Sequence, residues 1–102
     1  MPKVHVAPAA GCRVTGVFYR ADGRPLAGQR VRFLPARGGI WQGRVIGRAP
    51  VEVTTDAQGR LAVELAPSSV VGRYEVTVDE ARYAVDVPDR PAALFEEIAL
   101  AG

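Results

Sequence analysis

A chain of 102 residues with 48% hydrophobic side chains has enough length for one domain with one core, and is too apolar to stay unfolded throughout. No apolar run approaches the ~20 residues a membrane helix needs, and a single cysteine rules out an intrachain disulfide. Net charge is only +2, yet residues 1–50 carry nine basic side chains and one acid, whereas residues 51–102 carry four basic and ten acidic ones. If the two halves form opposite ends or separate sheets, copies can associate positive to negative; if their strands interleave, the charges cancel locally.

The chain opens with "MPKVHVAPAAGC", which has one lysine and no continuous apolar region. It does not read as a secretory signal, so the protein is expected to be made in the cytoplasm and either kept there or released by lysis rather than secretion. Residues 1–11 read as an arm that holds the only histidine, His5. Cys12 then enters a strand-like run, where it reads as a small apolar residue at the edge of the core.

From here period two dominates. "CRVTGVFY" (12–19) places Cys12, Val14, Gly16 and Phe18 on one face. "ADGRPLAG" (21–28) is a double bend: Asp22-Gly23 is a strong turn signal, Pro25 fixes φ, and Ala27-Gly28 bends the chain again. "QRVRFLP" (29–35) points Val31 and Phe33 inward with Arg30 and Arg32 outward, and "VEVTT" (51–55) alternates Val51 and Val53 with Glu52 and Thr54. Asp56-Ala57-Gln58-Gly59 reads as a four-residue hairpin turn into "RLAVEL" (60–65), which buries Leu61, Val63 and Leu65. "RYEVTVD" (73–79) and "RYAVDV" (82–87) repeat the pattern with Tyr74, Val76 and Val78, then Tyr83, Val85 and Val87. Six alternating runs with turn signals roughly every 8–12 residues and no long amphipathic helix predict an all-β fold, a single antiparallel sandwich. One wet face on each sheet argues against a parallel sheet.

Two segments break the alternation. "ARGGIWQGRVIGRAP" (36–50) holds four glycines, three arginines and the only tryptophan, and reads as a long loop with a short strand at 44–46. Trp41 either folds back to plug the end of the domain or stands exposed among Arg37, Arg44 and Arg48 as a contact residue, with Ile40 beside it. Tryptophan and arginine are enriched at interface hot spots. In the tail, "PAALFEEIAL" (91–100), Leu94, Phe95 and Ile98 are spaced for one helical turn, and a last edge strand fits equally well. They pack on their own sheet or on a neighbouring subunit. The candidate partner contacts are therefore Arg37, Ile40, Trp41, Arg44, Arg48, Leu94, Phe95 and Ile98. The domain proper spans 12–90 and the tail 91–102.

Taken together, "VTGVFYRADGRPLAGQRVRFLP", "VEVTTDAQGRLAVEL" and "GRYEVTV" resemble the carboxypeptidase regulatory-like domain. The resemblance covers residues 12–79. It implies a transthyretin-like, immunoglobulin-like β-sandwich of about seven strands. That fold serves as spacer, adhesive or anchor in many settings, so the resemblance specifies shape better than purpose. Short solitary versions resemble open reading frames among the structural genes of tailed bacteriophages. The resemblance then implies a structural protein of a virion, as a capsid decoration, head fibre or tail-associated module that contacts other virion subunits and its own copies. The rival expectations are a carbohydrate- or surface-adhesion module using Trp41 with Tyr19 or Tyr83, and an adaptor that binds by strand addition.

Catalysis finds no foothold in the sequence. The fold that the resemblance implies also hosts hydroxyisourate hydrolase, but that enzyme needs several histidines and a different C-terminal motif from "IALAG". His5 and Cys12 supply two zinc ligands where three or four are needed, and one histidine cannot complete a nucleophile–base–orienter set unless lysine or a carboxylate substitutes. Glu96-Glu97 and Asp79-Glu80 are adjacent acids, which diverge on a strand. The glycines of 36–50 lack the order of a phosphate-binding loop, and the small net charge gives no nucleic-acid footprint. No enzyme, cofactor, metal, nucleic acid or membrane is expected.

Overall fold

The computed structural model describes residues 11–100, leaving aside the side chain of Leu100. Of the arm read at residues 1–11, residues 1–10, with His5, lie outside the described residues. The elements are β1 (Cys12–Val17), β2 (Arg30–Leu34), β3 (Gly39–Trp41), β4 (Arg44–Ile46), β5 (Val51–Thr54), β6 (Arg60–Leu65), α1 (Ser68–Val71), β7 (Tyr74–Val78), β8 (Ala81–Val85), β9 (Ala92–Leu94), α2 (Phe95–Ile98) and β10 (Ala99–Leu100). The fold is all-β. The six alternating runs are β1, β2, β5, β6, β7 and β8, and the four further strands come from the two segments that break the alternation. The tail is both of the things its spacing allowed: strand, one helical turn, then strand.

Five strands form one antiparallel sheet in the order β10-β8-β7-β2-β5. Its register explains why its members are rich in β-branched and aromatic residues. Phe33 lies opposite Val51 on one side and Val76 on the other, and Val76 in turn faces Tyr83. Each such row is a cross-strand apolar contact on the covered face. The opposite face carries the charges. Glu52 approaches Arg32 at 3.7 Å and Arg30 at 4.0 Å, and Glu75 lies 3.8 Å from Arg82. Strand β2, from the basic half, is thus seated between β5 and β7 of the acidic half, and the charge asymmetry cancels within one sheet.

The second sheet has the order β6-β1-β9. Strands β1 and β6 pair antiparallel over their full length, from Cys12 opposite Leu65 to Val17 opposite Arg60. On its other side β1 pairs with β9 in parallel, Arg13 to Thr15 against Ala92 to Leu94, which corrects the purely antiparallel expectation. A parallel pair needs a long crossover connection. Here nearly the whole chain separates the two strands, and no alternation within either strand records the direction of its neighbour.

A second correction concerns the turn at 56–59. Its flanking strands do not form a hairpin: β5 pairs with β2 and β6 with β1, so the turn carries the chain from one sheet to the other. Asp56 shapes it, its carboxylate accepting the N–H groups of Gln58 and Arg60 at 2.8 and 2.9 Å. Gly59 completes it at φ +78, where a Cβ would lie 2.4 Å from the Phe18 carbonyl oxygen. The 18–28 double bend packs on the same crossing. Phe18 N–H donates to Gly59 O, Leu26 N–H to Phe18 O and Gly28 N–H to Thr55 O. Thr55, 3% exposed, accepts from Gln29 N–H at 2.8 Å and donates to Leu26 O at 2.6 Å. The two motifs that look independent in sequence are therefore one stitched end of the domain.

Buried residues of both sheets belong to one hydrophobic cluster: Cys12, Val14, Leu61, Val63 and Leu65 with Val31, Phe33, Val76 and Val85. This arrangement is compatible with a β-sandwich. Burial pushes the Cys12 thiol pKa up, partly offset by Arg90, and the residue is 1% exposed.

Candidate interaction surface

The 36–50 segment is a built hairpin. Strands β3 and β4 pair with Ile40 opposite Val45 and Trp41 opposite Arg44, joined by Gln42 and Gly43 at φ 53 and 75. Two successive left-handed residues are what a type I′ connection requires, and Gly43 takes that conformation without strain. Alternation then gives the hairpin two different faces.

One face lies against the domain. Trp41 is half-buried, its Cη2 3.2 Å from where a Gly11 Cβ would stand, and the Arg44 guanidinium sits 5.9 Å from its ring centroid. Ile46 packs on the core cluster. Gly39 permits the close approach to α1, since a Cβ there would lie 2.7 Å from the Val70 carbonyl oxygen. At the base, Arg37 N–H donates to Val71 O at 2.9 Å and Arg48 Nε–H to Ala36 O at 3.1 Å. Trp41 therefore lies between its two readings, packed at Cη2 near Gly11 and only half-buried.

The other face is bare. Ile40 is 73% exposed and Val45 is 84% exposed, side by side on a hairpin whose base is anchored. Arg37, Arg44 and Arg48 are exposed around the same hairpin. Sequence reasoning named Ile40 but missed Val45. The signal was there in "IWQGRV", where a two-residue Gln-Gly connection puts the residues flanking the inner pair on one face.

The tail candidates separate. Leu94 is 44% exposed on the outer face of the three-stranded sheet, in one row with Thr15 and Ala62, with Val17 nearby at 46%. A shallow groove of about 380 Å³ runs over these residues. Phe95 and Ile98 are each only 8% exposed and belong to the core, so they are withdrawn as partner contacts. The physical reason is Gly16: a Cβ there would lie 2.9 Å from the Phe95 Cβ, so the missing side chain is the space into which α2 turns the ring.

Among the described residues, no group of three or more His, Cys, Asp or Glu side chains could hold a metal ion, and no helix is long and apolar enough to cross a membrane. Every buried side-chain nitrogen or oxygen among them has a hydrogen-bond partner. The hairpin is thus anchored at its base and leaves one apolar face uncovered, with exposed arginines elsewhere along it. Apolar side chains exposed on an ordered element are a recurrent feature of contact surfaces. No family model matches the chain, and no curated protein matches it.

Proposed function

We propose that this chain is a non-catalytic structural module of a bacteriophage-like virion, a capsid decoration, head fibre or tail-associated protein, that works by docking on other virion subunits. In this reading the two sheets are the layers of a transthyretin-like, immunoglobulin-like sandwich. That shape supports the reading by supplying a stiff body, and the β3–β4 hairpin supplies the grip. The single observation that carries it is the Ile40–Val45 pair, two large apolar side chains held side by side in water by an anchored hairpin. Covering them fully is worth roughly 1.5–3 kcal/mol each, too little for a lone tight contact. Repetition of the module on a symmetric shell multiplies such contacts through avidity. The resemblance to short phage versions of the carboxypeptidase regulatory-like domain supports the particle as the setting. The test is to purify particles from the organism that encodes the protein and ask whether the chain is a stoichiometric component. A soluble monomer with no particle-bound pool would defeat the reading.

A further inference from the structure

At the stitched end of the domain a groove of about 550 Å³ opens between the 18–26 bend and the β7–β8 turn. Its walls bring together residues that sequence spacing keeps far apart: Phe18, Tyr19, Arg20 and Asp22 from the bend, Asp79 and Tyr83 from the other side. Tyr19 is 63% exposed, a large aromatic face left in water next to a cleft of the size small-ligand sites occupy. Tyr83 is half-buried behind it, its ring held edge-on to Phe95 at 6.0 Å.

The polar groups decide the class of ligand. Asp22 is held by its neighbours, accepting Arg24 N–H at 3.0 Å with the Arg24 and Arg20 Nε atoms at 3.3 and 3.9 Å. Its charge is therefore answered within the bend. Asp79 stands at φ +56 in the two-residue β7–β8 turn, and its carboxylate has no ion-pair partner among the described residues. With Arg20 on one wall and Asp79 on the other, the groove offers a donor and an acceptor and little net field. That balance does not select for a cation or for an anion. A neutral molecule that both donates and accepts hydrogen bonds, and has an apolar C–H face for an aromatic ring, matches all three features.

We propose that this groove binds the terminal neutral hexopyranose unit of a glycan, with Tyr19 stacked on the C–H face of the sugar and Asp79 and Arg20 on its hydroxyls. The bend is set for the task before any ligand arrives. Tyr19 and Pro25 form a β-bridge, Arg20 N–H donates to Arg24 O at 2.7 Å, and Gly23 N–H to Arg20 O at 2.9 Å. A wall already ordered loses little conformational entropy on binding. The inference does not rest on the particle reading, because the groove contains no residue of the β3–β4 hairpin and is tested on the isolated protein.

The test is a titration of the isotope-labelled chain with the methyl glycosides of glucose, galactose and mannose, followed through its amide resonances, with choline as the cationic comparison. At least one glycoside should give saturable shifts confined to residues 18–26 and 78–83. Tyr19→Ala should weaken that binding about tenfold, the worth of one aromatic stacking contact, with the remaining resonances unmoved. Asp79→Asn should weaken it too, and asparagine tolerates the left-handed backbone at that position. No saturable shift from any of the three glycosides overturns the proposal. So do shifts elsewhere on the domain, wild-type binding by Tyr19→Ala, or choline binding more tightly than every glycoside.

Discussion

The ring of Phe95 stands 5.0 Å from that of Phe18, tilted by 57°, over the one inward position of β1 that has no side chain, Gly16. Phe33 and Tyr83 meet the same ring at 6.5 and 6.0 Å. The tail therefore closes the core, and Phe95 is its plug. Phe95→Ala should cost about 3–5 kcal/mol, the usual cost of deleting a buried aromatic ring. Gly16→Ala should also destabilise, because its new methyl would sit 2.9 Å from the Phe95 Cβ. Chemical denaturation of both variants checks this; an unchanged midpoint for Phe95→Ala would mean the tail is peripheral.

The stitched end makes a separate prediction. Thr55→Val keeps the shape of the side chain and removes its hydroxyl, leaving Gln29 N–H and Leu26 C=O without the partner they have now. The expected loss is about 1–3 kcal/mol, the cost of stranding a buried polar group. The neighbouring exposed Thr54→Val should be within about 0.5 kcal/mol of neutral. Equal effects from the two would contradict the role given to Thr55.

Much of this fold is legible in the alternation of its strands, because a half-buried strand writes its burial directly into every second residue. The inward sets Val31/Phe33, Leu61/Val63/Leu65 and Tyr74/Val76/Val78 are all buried. What alternation does not carry is which strand lies alongside which. Asp56 and Gly59 make the same turn whether the next strand pairs with the last one or leaves for another sheet, so 56–59 read as a hairpin and is a crossing. The direction of β9 along β1 is equally silent. On the candidate surface, Ile40 was legible as an apolar residue in a glycine-rich segment, and Leu94 as part of an apolar tail. Separating Leu94 from Phe95 required knowing that Gly16 lies under one and not the other. Tyr19 and Tyr83 are 64 residues apart, and only the folded chain puts them on one groove.

Tyr74 predicts how stability depends on alkaline pH. It is 3% exposed and donates its hydroxyl to Ala66 O at 2.7 Å. Burial disfavours the phenolate and pushes its pKa from 10.0 up to about 12. Below pH about 10 the group is neutral in both folded and unfolded chains, and its contribution is fully present. As the pH rises from about 10 to about 12 the unfolded chain ionises first, and about 2–3 kcal/mol of stability should be lost. Tyr74→Phe should start less stable by about 1 kcal/mol and lose that slope. The same slope in both proteins would assign it to other groups.

Cys12 gives a simple probe of core integrity. It is 1% exposed and its thiol pKa is raised by burial, so the thiolate is both scarce and covered. A thiol reagent at neutral pH should label the native protein only as fast as it opens and the denatured protein at once. Rapid labelling of the native chain would mean that the N-terminal end of β1 is open.

The hairpin carries the central proposal, that the chain grips a particle through an exposed apolar pair. The most direct measurement compares cosedimentation with purified particles for the wild-type chain and for Ile40→Asp/Val45→Asp, with circular dichroism and melting followed on both. Since the two side chains are 73% and 84% exposed, the double variant should keep the β spectrum and the melting midpoint while its particle-bound fraction falls to background. Full binding by the folded double variant, or no binding by the wild-type chain, would contradict the account.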